Sequence, residues 1–155
     1  MGMDISAYAE VRTDGKWEPL YGMTRVEYEE DIVRHEMKQV YSERNYVLFE
    51  RLTGEFHHWV DACPTPLSTP QHDIPEDASD AMKLVWSDDR DRWDGDWFHV
   101  LTLAELQTVD WDQYLAEIMG DGKEAREAQA AWSDAMGLMG RLGAPDDVRM
   151  LFWFI

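Results

Sequence analysis

In 155 residues this chain carries 32 acidic side chains against 14 basic ones, a formal charge of −18 at neutral pH. Such a field repels nucleic-acid phosphates and anionic lipid, so direct binding to DNA, RNA or a membrane surface is not expected unless the few cations gather into one patch. Disorder is excluded by composition: 45% of residues are hydrophobic and 12% aromatic, eight of them Trp, enough to bury the core of one domain spanning residues 1–155.

Met3 to Arg12 alternates, with Ile5, Ala7, Ala9 and Val11 on one face and Asp4, Ser6, Tyr8, Glu10 and Arg12 on the other, the period of a half-buried strand. Asp14-Gly15 supplies a turn, and Lys16 to Leu20 returns as a short strand ending at Pro19. Thr24 with Glu27 matches a capping box, and Val26, Val33, Met37, Val40 and Tyr41 recur at helical spacing, so a helix is predicted from Thr24 to Tyr41. A second helix is predicted from about Arg44 to Thr53, with Tyr46, Phe49 and Leu52 on one stripe and Gly54 as its stop.

Residues 55–76 lose all periodicity, and Pro64, Pro66, Pro70 and Pro75 mark an irregular excursion. Ser79 is expected to cap a short helix through Trp86, followed by an acidic, Trp-containing loop at 87–96 and a short strand from Phe98 to Leu101. Thr102 with Glu105 and Asp110 with Gln113 open two further helices, the second ended by Gly120. Lys123 to Leu142 is the longest helical pattern, with Ala125, Ala128, Trp132, Met136 and Met139 on its stripe and Gly143 and Pro145 beyond it. Val148 to Ile155 is apolar on both faces after Arg149, which suits a strand in the middle of a covered sheet. The sum is an α+β fold: a mostly antiparallel sheet containing the N- and C-terminal strands, with several helices packed on it.

Cys63 is the only cysteine, which removes an intramolecular disulfide framework and fits a reducing cytoplasm. The longest apolar run, Met150 to Ile155, is too short to span a bilayer, and the N-terminus has no basic-then-apolar signal pattern, so a cytoplasmic location is expected.

Several groups of residues invite chemistry. His57, His58, Cys63, His72 and His99 are soft-metal ligands, but no C-x2-C or H-x3-H spacing closes a tetrahedral site, so no metal and no cofactor is expected. Asp88, Asp89, Asp91, Asp94 and Asp96 resemble a calcium loop only in composition: counted from Asp89, the fifth position is Trp93 and the twelfth Val100. Trp86, Trp93 and Trp97 are set among these carboxylates, which suits either core packing or an interface hot spot. Arg44-Asn45-Tyr46 opens a helix, where N–H groups and a cation can hold an anion, or where Asn45 simply caps, Tyr46 packs and Arg44 meets a carboxylate. No nucleophile motif such as G-x-S-x-G is present, and no catalytic residue is assigned.

The succession Met1-Gly2-x-Asp4-Ile5, Arg44-Asn45-Tyr46-x-Leu48-Phe49, Pro75-Glu76-Asp77, Leu101-Thr102-Leu103-x-Glu105-Leu106, Asp110-Trp111 and Val148-Arg149 to Phe154 resembles a family of small, mostly phage-encoded proteins of unknown function. The family pattern has Cys and His where this chain has Met3 and Ser6, and a His- and Ser-containing run where this chain keeps only His99. The resemblance implies a phage origin and a role in countering host defence.

Two functional expectations follow. The first is an acidic inhibitor of a basic, nucleic-acid-binding host protein, contacting it through Trp86, Asp88, Asp89, Asp91, Trp93, Asp94, Asp96 and Trp97. The alternative is a binder that sequesters, or less readily hydrolyses, a nucleotide-type immune signal, using Asp4, Arg44, Asn45, Tyr46, Trp59 and His99. A homo-oligomer is compatible with either.

Overall fold

The structure, a computed structural model, describes residues 3–54, 66–93 and 97–155. Strand β1 (Ile5–Thr13) turns into β2 (Lys16–Pro19) through Asp14 and Gly15, whose φ angles of 53° and 78° are both left-handed, as a two-residue hairpin turn of this hand requires. The last strand, β6 (Val148–Phe154), lies between β1 and β5 (His99–Thr102). The sheet order is β2-β1-β6-β5 and every pairing is antiparallel, with Ile5 opposite Phe154, Ala7 opposite Phe152 and Val11 opposite Val148. The fold is therefore α+β, with the two terminal strands side by side and the C-terminal one enclosed, as its apolar sequence predicts.

Helices cover both faces of this sheet. On one face Ile5, Ala7, Ala9, Leu101, Val148, Met150 and Phe152 meet α1 (Tyr46–Thr53), α3 (Leu103–Leu106), α4 (Trp111–Met119) and α5 (Lys123–Gly140). Trp132 sits at the centre of that layer, edge-on to both Tyr41 and Trp111. On the other face Tyr8, Leu151 and Trp153 pack with Phe98 against α2 (Asp80–Trp93) through Met82, Val85 and Trp86. The expectation that β1 is half-buried is thus corrected. Ser6, Tyr8 and Glu10, its polar face by sequence, are all buried because α2 lies over them.

The capping signals at Asn45, Thr102 and Asp110 hold, while that at Thr24 falls inside a strand. Asn45 accepts from the Leu48 N–H, Thr102 and Glu105 form a reciprocal capping box, and Asp110 accepts from the Gln113 N–H. Gly54 ends α1 in the left-handed region with φ 71°. Pro145–Asp147 form a single 3-10 turn that leads into β6.

Two further expectations fail. Thr24 to Tyr41 is not a helix: β3 (Met23–Glu27) and β4 (Val33–Met37) form an antiparallel hairpin, with Met23 opposite Met37 and Arg25 opposite His35. A helix here would place Glu27 three and four residues from Glu30 and Asp31, a like-charge repulsion. In the hairpin Glu27 instead pairs with Arg25, Glu36 accepts from the Tyr28 hydroxyl, and Asp31 takes a left-handed turn position at φ 72°.

The second failure is the acidic loop. Residues 87–93 are the last two turns of α2, whose start is capped by Ser79. Ser and Asp are weak helix formers, but Asp88 and Asp89 both find tertiary donors, and Arg90 and Arg92 lie at the C-terminal end where the helix dipole favours cations. The described part of the Pro-rich excursion, 66–76, is irregular as expected, joined to the start of β5 by the Gln71–Phe98 bridge and by the Ser68 hydroxyl beside His99. No helix among the described residues is long and apolar enough to cross a membrane.

Candidate functional site

The β3–β4 hairpin stands beside α2, and a groove of about 760 Å³ opens between them over one end of the sheet. β1 contributes Ser6 and Tyr8; α2 contributes Val85, Asp88, Asp89 and Arg92; β4 and its flank contribute Arg34, His35, Glu36, Met37 and Gln39. Tyr28, Glu29 and Ile32 come from the hairpin tip, and the exposed Tyr28 and Ile32 give the rim an apolar surface.

Asp88 is the hinge of this arrangement. Its Oδ2 accepts from the His35 backbone N–H at 2.5 Å and lies 3.0 Å from His35 Nδ1, fixing the hairpin to the helix. Asp89 accepts from Trp153 Nε1 at 2.8 Å. Burial pushes the Asp89 carboxyl above the usual carboxylate range and neighbouring Asp88 adds to the rise, while the Trp153 N–H works against it. Burial likewise raises the Tyr8 phenol, and Asp89 contributes in the same direction. Tyr8 is held in place by stacking on Trp153 at 5.2 Å between ring centroids. Arg34 lies over the Tyr28 ring at 5.5 Å. The groove thus presents Glu29, Glu36, Asp88 and Asp89 against the two guanidiniums of Arg34 and Arg92. Its dominant chemistry is the acceptance of hydrogen bonds from donors, cationic ones above all.

His99 belongs to the core and not to this groove. Its Nδ1 is 2.9 Å from the Ser68 hydroxyl and its ring stacks on Phe152 at 5.0 Å. Burial lowers its pKa from 6.5 to about 4. The unfolded chain therefore binds this proton first as pH falls. The stability that neutral His99 preserves is fully present above about pH 6.5 and is lost progressively down to about pH 4, on the order of 3 kcal/mol in all. Denaturant titrations across this window should show a steeper pH dependence for the native chain than for His99→Phe. Equal slopes would remove His99 from the account.

The other residues singled out by sequence are dispersed. Asp4 and Arg44 form a fork on the surface, Arg44 Nε and Nη2 both donating to Asp4 Oδ1 at 2.9 and 2.7 Å, and both side chains are about half exposed. Neither lines the groove. Asn45 caps α1, and the Tyr46 hydroxyl accepts from the Met3 N–H at 3.0 Å. Trp86 is 1% exposed, donating its N–H to Asp73 at 2.8 Å, so it is core and presents no hot-spot surface. Trp97 is 48% exposed and stacks on His72 at 5.4 Å. Asp91 is exposed on α2, within reach of Arg90. His57, His58, Trp59, Cys63, Asp94 and Asp96, with the side chain of Trp93, lie outside the described residues. Among the described residues no three His, Cys, Asp or Glu side chains form a group that could hold a metal.

Of the described members of the predicted acidic set, Asp88 and Asp89 reach the groove and Asp91 does not, and Ser6 joins them from β1. Tyr8, Arg34, His35, Glu36 and Arg92 were not foreseen as site residues, since a helix over 24–41 gave no reason to bring β4 to α2. No family model, no curated protein and no solved structure matches the chain.

Proposed function

We propose that this chain is a non-catalytic binding protein whose acidic surface engages a basic protein, and that it acts as a counter-defence inhibitor of a nucleic-acid-binding host factor, in line with its resemblance to phage-encoded sequences. The carrying observation is how its few cations are spent. Arg12, Arg25, Arg44, Arg90, Lys123 and Arg149 are ion-paired with Asp147, Glu27, Asp4, Asp73, Glu127 and Glu10 of the same chain. Arg34, Lys38 and Arg51 lie against the rings of Tyr28, Tyr21 and Tyr114. The surplus of carboxylates is left facing outward, a field that steers basic partners and accelerates their association in a salt-dependent way. Sequestration of a nucleotide through Arg44 has less support, because Asp4 already occupies that guanidinium.

The test is retention from host cells on the immobilised chain, with stepwise salt elution and identification of what is released. The expected result is a basic protein held at low salt and released as salt rises. Neutralising the exposed Glu29, Glu30, Asp31 and Asp91 should slow its association roughly tenfold. Arg44→Ala should leave binding intact. Loss of binding in Arg44→Ala alone, or a partner indifferent to salt, would overturn the reading.

A further inference from the structure

We propose that the groove between β4 and α2 is the recognition pocket for a basic side chain of the partner, its guanidinium or ammonium group received by Asp89 and Glu36. The inference rests on the acidic-binding reading and names where on the molecule recognition occurs. A volume of about 760 Å³ is large enough for an arginine or lysine side chain together with its flanking backbone.

The acceptor inventory selects a cation. Asp88 already takes both donors of His35 and holds the hairpin in place. Asp89 accepts from Trp153 Nε1 and is also hydrogen-bonded by the Ser6 side chain, which uses part of the roughly four acceptor sites of an ionised carboxylate and leaves the rest to the groove. Burial, helped by Asp88, disfavours the charged form of Asp89 against the opposing pull of Trp153, Arg34 and Ser6, so a further cation seated in the groove would favour its ionisation. Glu36, accepting from Tyr28, adds a second, exposed carboxylate on the opposite wall. An anion entering the groove would meet four carboxylates, while Arg34 is already drawn to the Tyr28 ring and to Asp89. The apolar stem of the incoming side chain can lie along Tyr8 and Met37, as long basic side chains do when their charged ends are held in polar surroundings. The exposed Tyr28 and Ile32 at the rim offer apolar contact to the residues on either side.

The experiment titrates the intact protein with an oligo-arginine peptide, an oligo-lysine peptide and an uncharged Gly-Ser peptide of equal length, by calorimetry and by amide and imidazole NMR. Two double variants of equal charge are compared: Asp89→Asn with Glu36→Gln in the groove, and Asp112→Asn with Glu124→Gln on the helical layer across the sheet. Asn at position 89 keeps an acceptor for Trp153, and the shifts of the unmodified protein serve as a readout that needs no variant to fold. The expected result is that both basic peptides bind, that their shift changes centre on His35, Glu36 and Asp89, and that the groove variant weakens them at least about tenfold more than the distal one. If the two variants lose affinity equally, or the shifts spread over the surface away from β4 and α2, the groove is refuted while the acidic-binding reading stands. If neither basic peptide binds better than the Gly-Ser peptide at low salt, the acidic-binding reading itself fails, and the groove with it.

Discussion

Removing Phe152 to Ile155 should abolish cooperative unfolding altogether. Phe152 and Trp153 point to opposite faces of the sheet, the first into the layer built by α1, α3, α4 and α5 and the second against α2, and each is almost completely buried. Truncating a buried Phe or Trp to Ala costs about 3–5 kcal/mol, so losing two of them approaches the whole stability of an ordinary domain, about 5–15 kcal/mol. The truncation also leaves Ile5, Ser6 and Ala7 of β1 without their partners on β6, and it removes the backbone exchange between Asp4 and Ile155 at 3.0 and 2.9 Å. Calorimetry should show a broad, weak transition or none, whereas removing Ile155 alone, a partly exposed residue, should leave a sharp one. A sharp transition near the native midpoint for the longer truncation would refute the central role of β6.

The same strand shows why parts of this fold were legible in the sequence. Its unbroken apolar run means burial on both faces in any packing, and Asp14-Gly15, Asn45, Thr102 with Glu105 and Asp110 act through contacts a few residues away. The segments misread are those decided by distant partners. Val26, Val33 and Met37 satisfy a helical count, yet β4 gains Asp88 as an acceptor for its backbone, a contact separated by 53 residues. Ser87 to Trp93 reads as a loop by propensity, and its helix is completed by His35 and Trp153 from elsewhere in the chain. Alternation in β1 marked Tyr8 and Glu10 as solvent-facing because nothing in residues 3–12 announces that α2 will cover them. The groove was hidden for the same reason. Asp88 and Asp89 were visible as acids, but which of them retains acceptor capacity depends on His35 and Trp153.

Breaking the pair between Glu10 and Arg149 should be the most damaging single substitution among the charged residues. These two face one another across β1 and β6, with side chains 0% and 6% exposed. Arg149 Nη2 and Nε donate to Glu10 Oε1 at 2.8 and 3.0 Å, and Nη1 donates to Asp77 at 3.1 Å. The other Glu10 oxygen accepts from the Ser79 N–H at 2.8 Å, just ahead of α2, and the guanidinium lies over Trp17 at 4.0 Å from its centroid. Glu10→Ala therefore leaves a buried guanidinium with only the exposed Asp77 as a counter-charge, and should cost about 3–5 kcal/mol. Asp77→Ala, which removes the solvent-facing partner, should cost only about 0–1 kcal/mol. The double change Glu10→Met with Arg149→Met discriminates between an attraction that stabilises and a pair that merely compensates its own desolvation. Both charges are then gone, and the cost should fall well below that of Glu10→Ala, even to zero. Equilibrium urea unfolding of the three variants measures this directly. A Glu10→Ala cost no larger than that of Asp77→Ala would mean that water reaches Arg149 and that the pair is not enclosed by α2. A double variant as damaged as the single one would mean that the polar contacts to Ser79 and Trp17, and not the charge balance, hold α2 on the sheet.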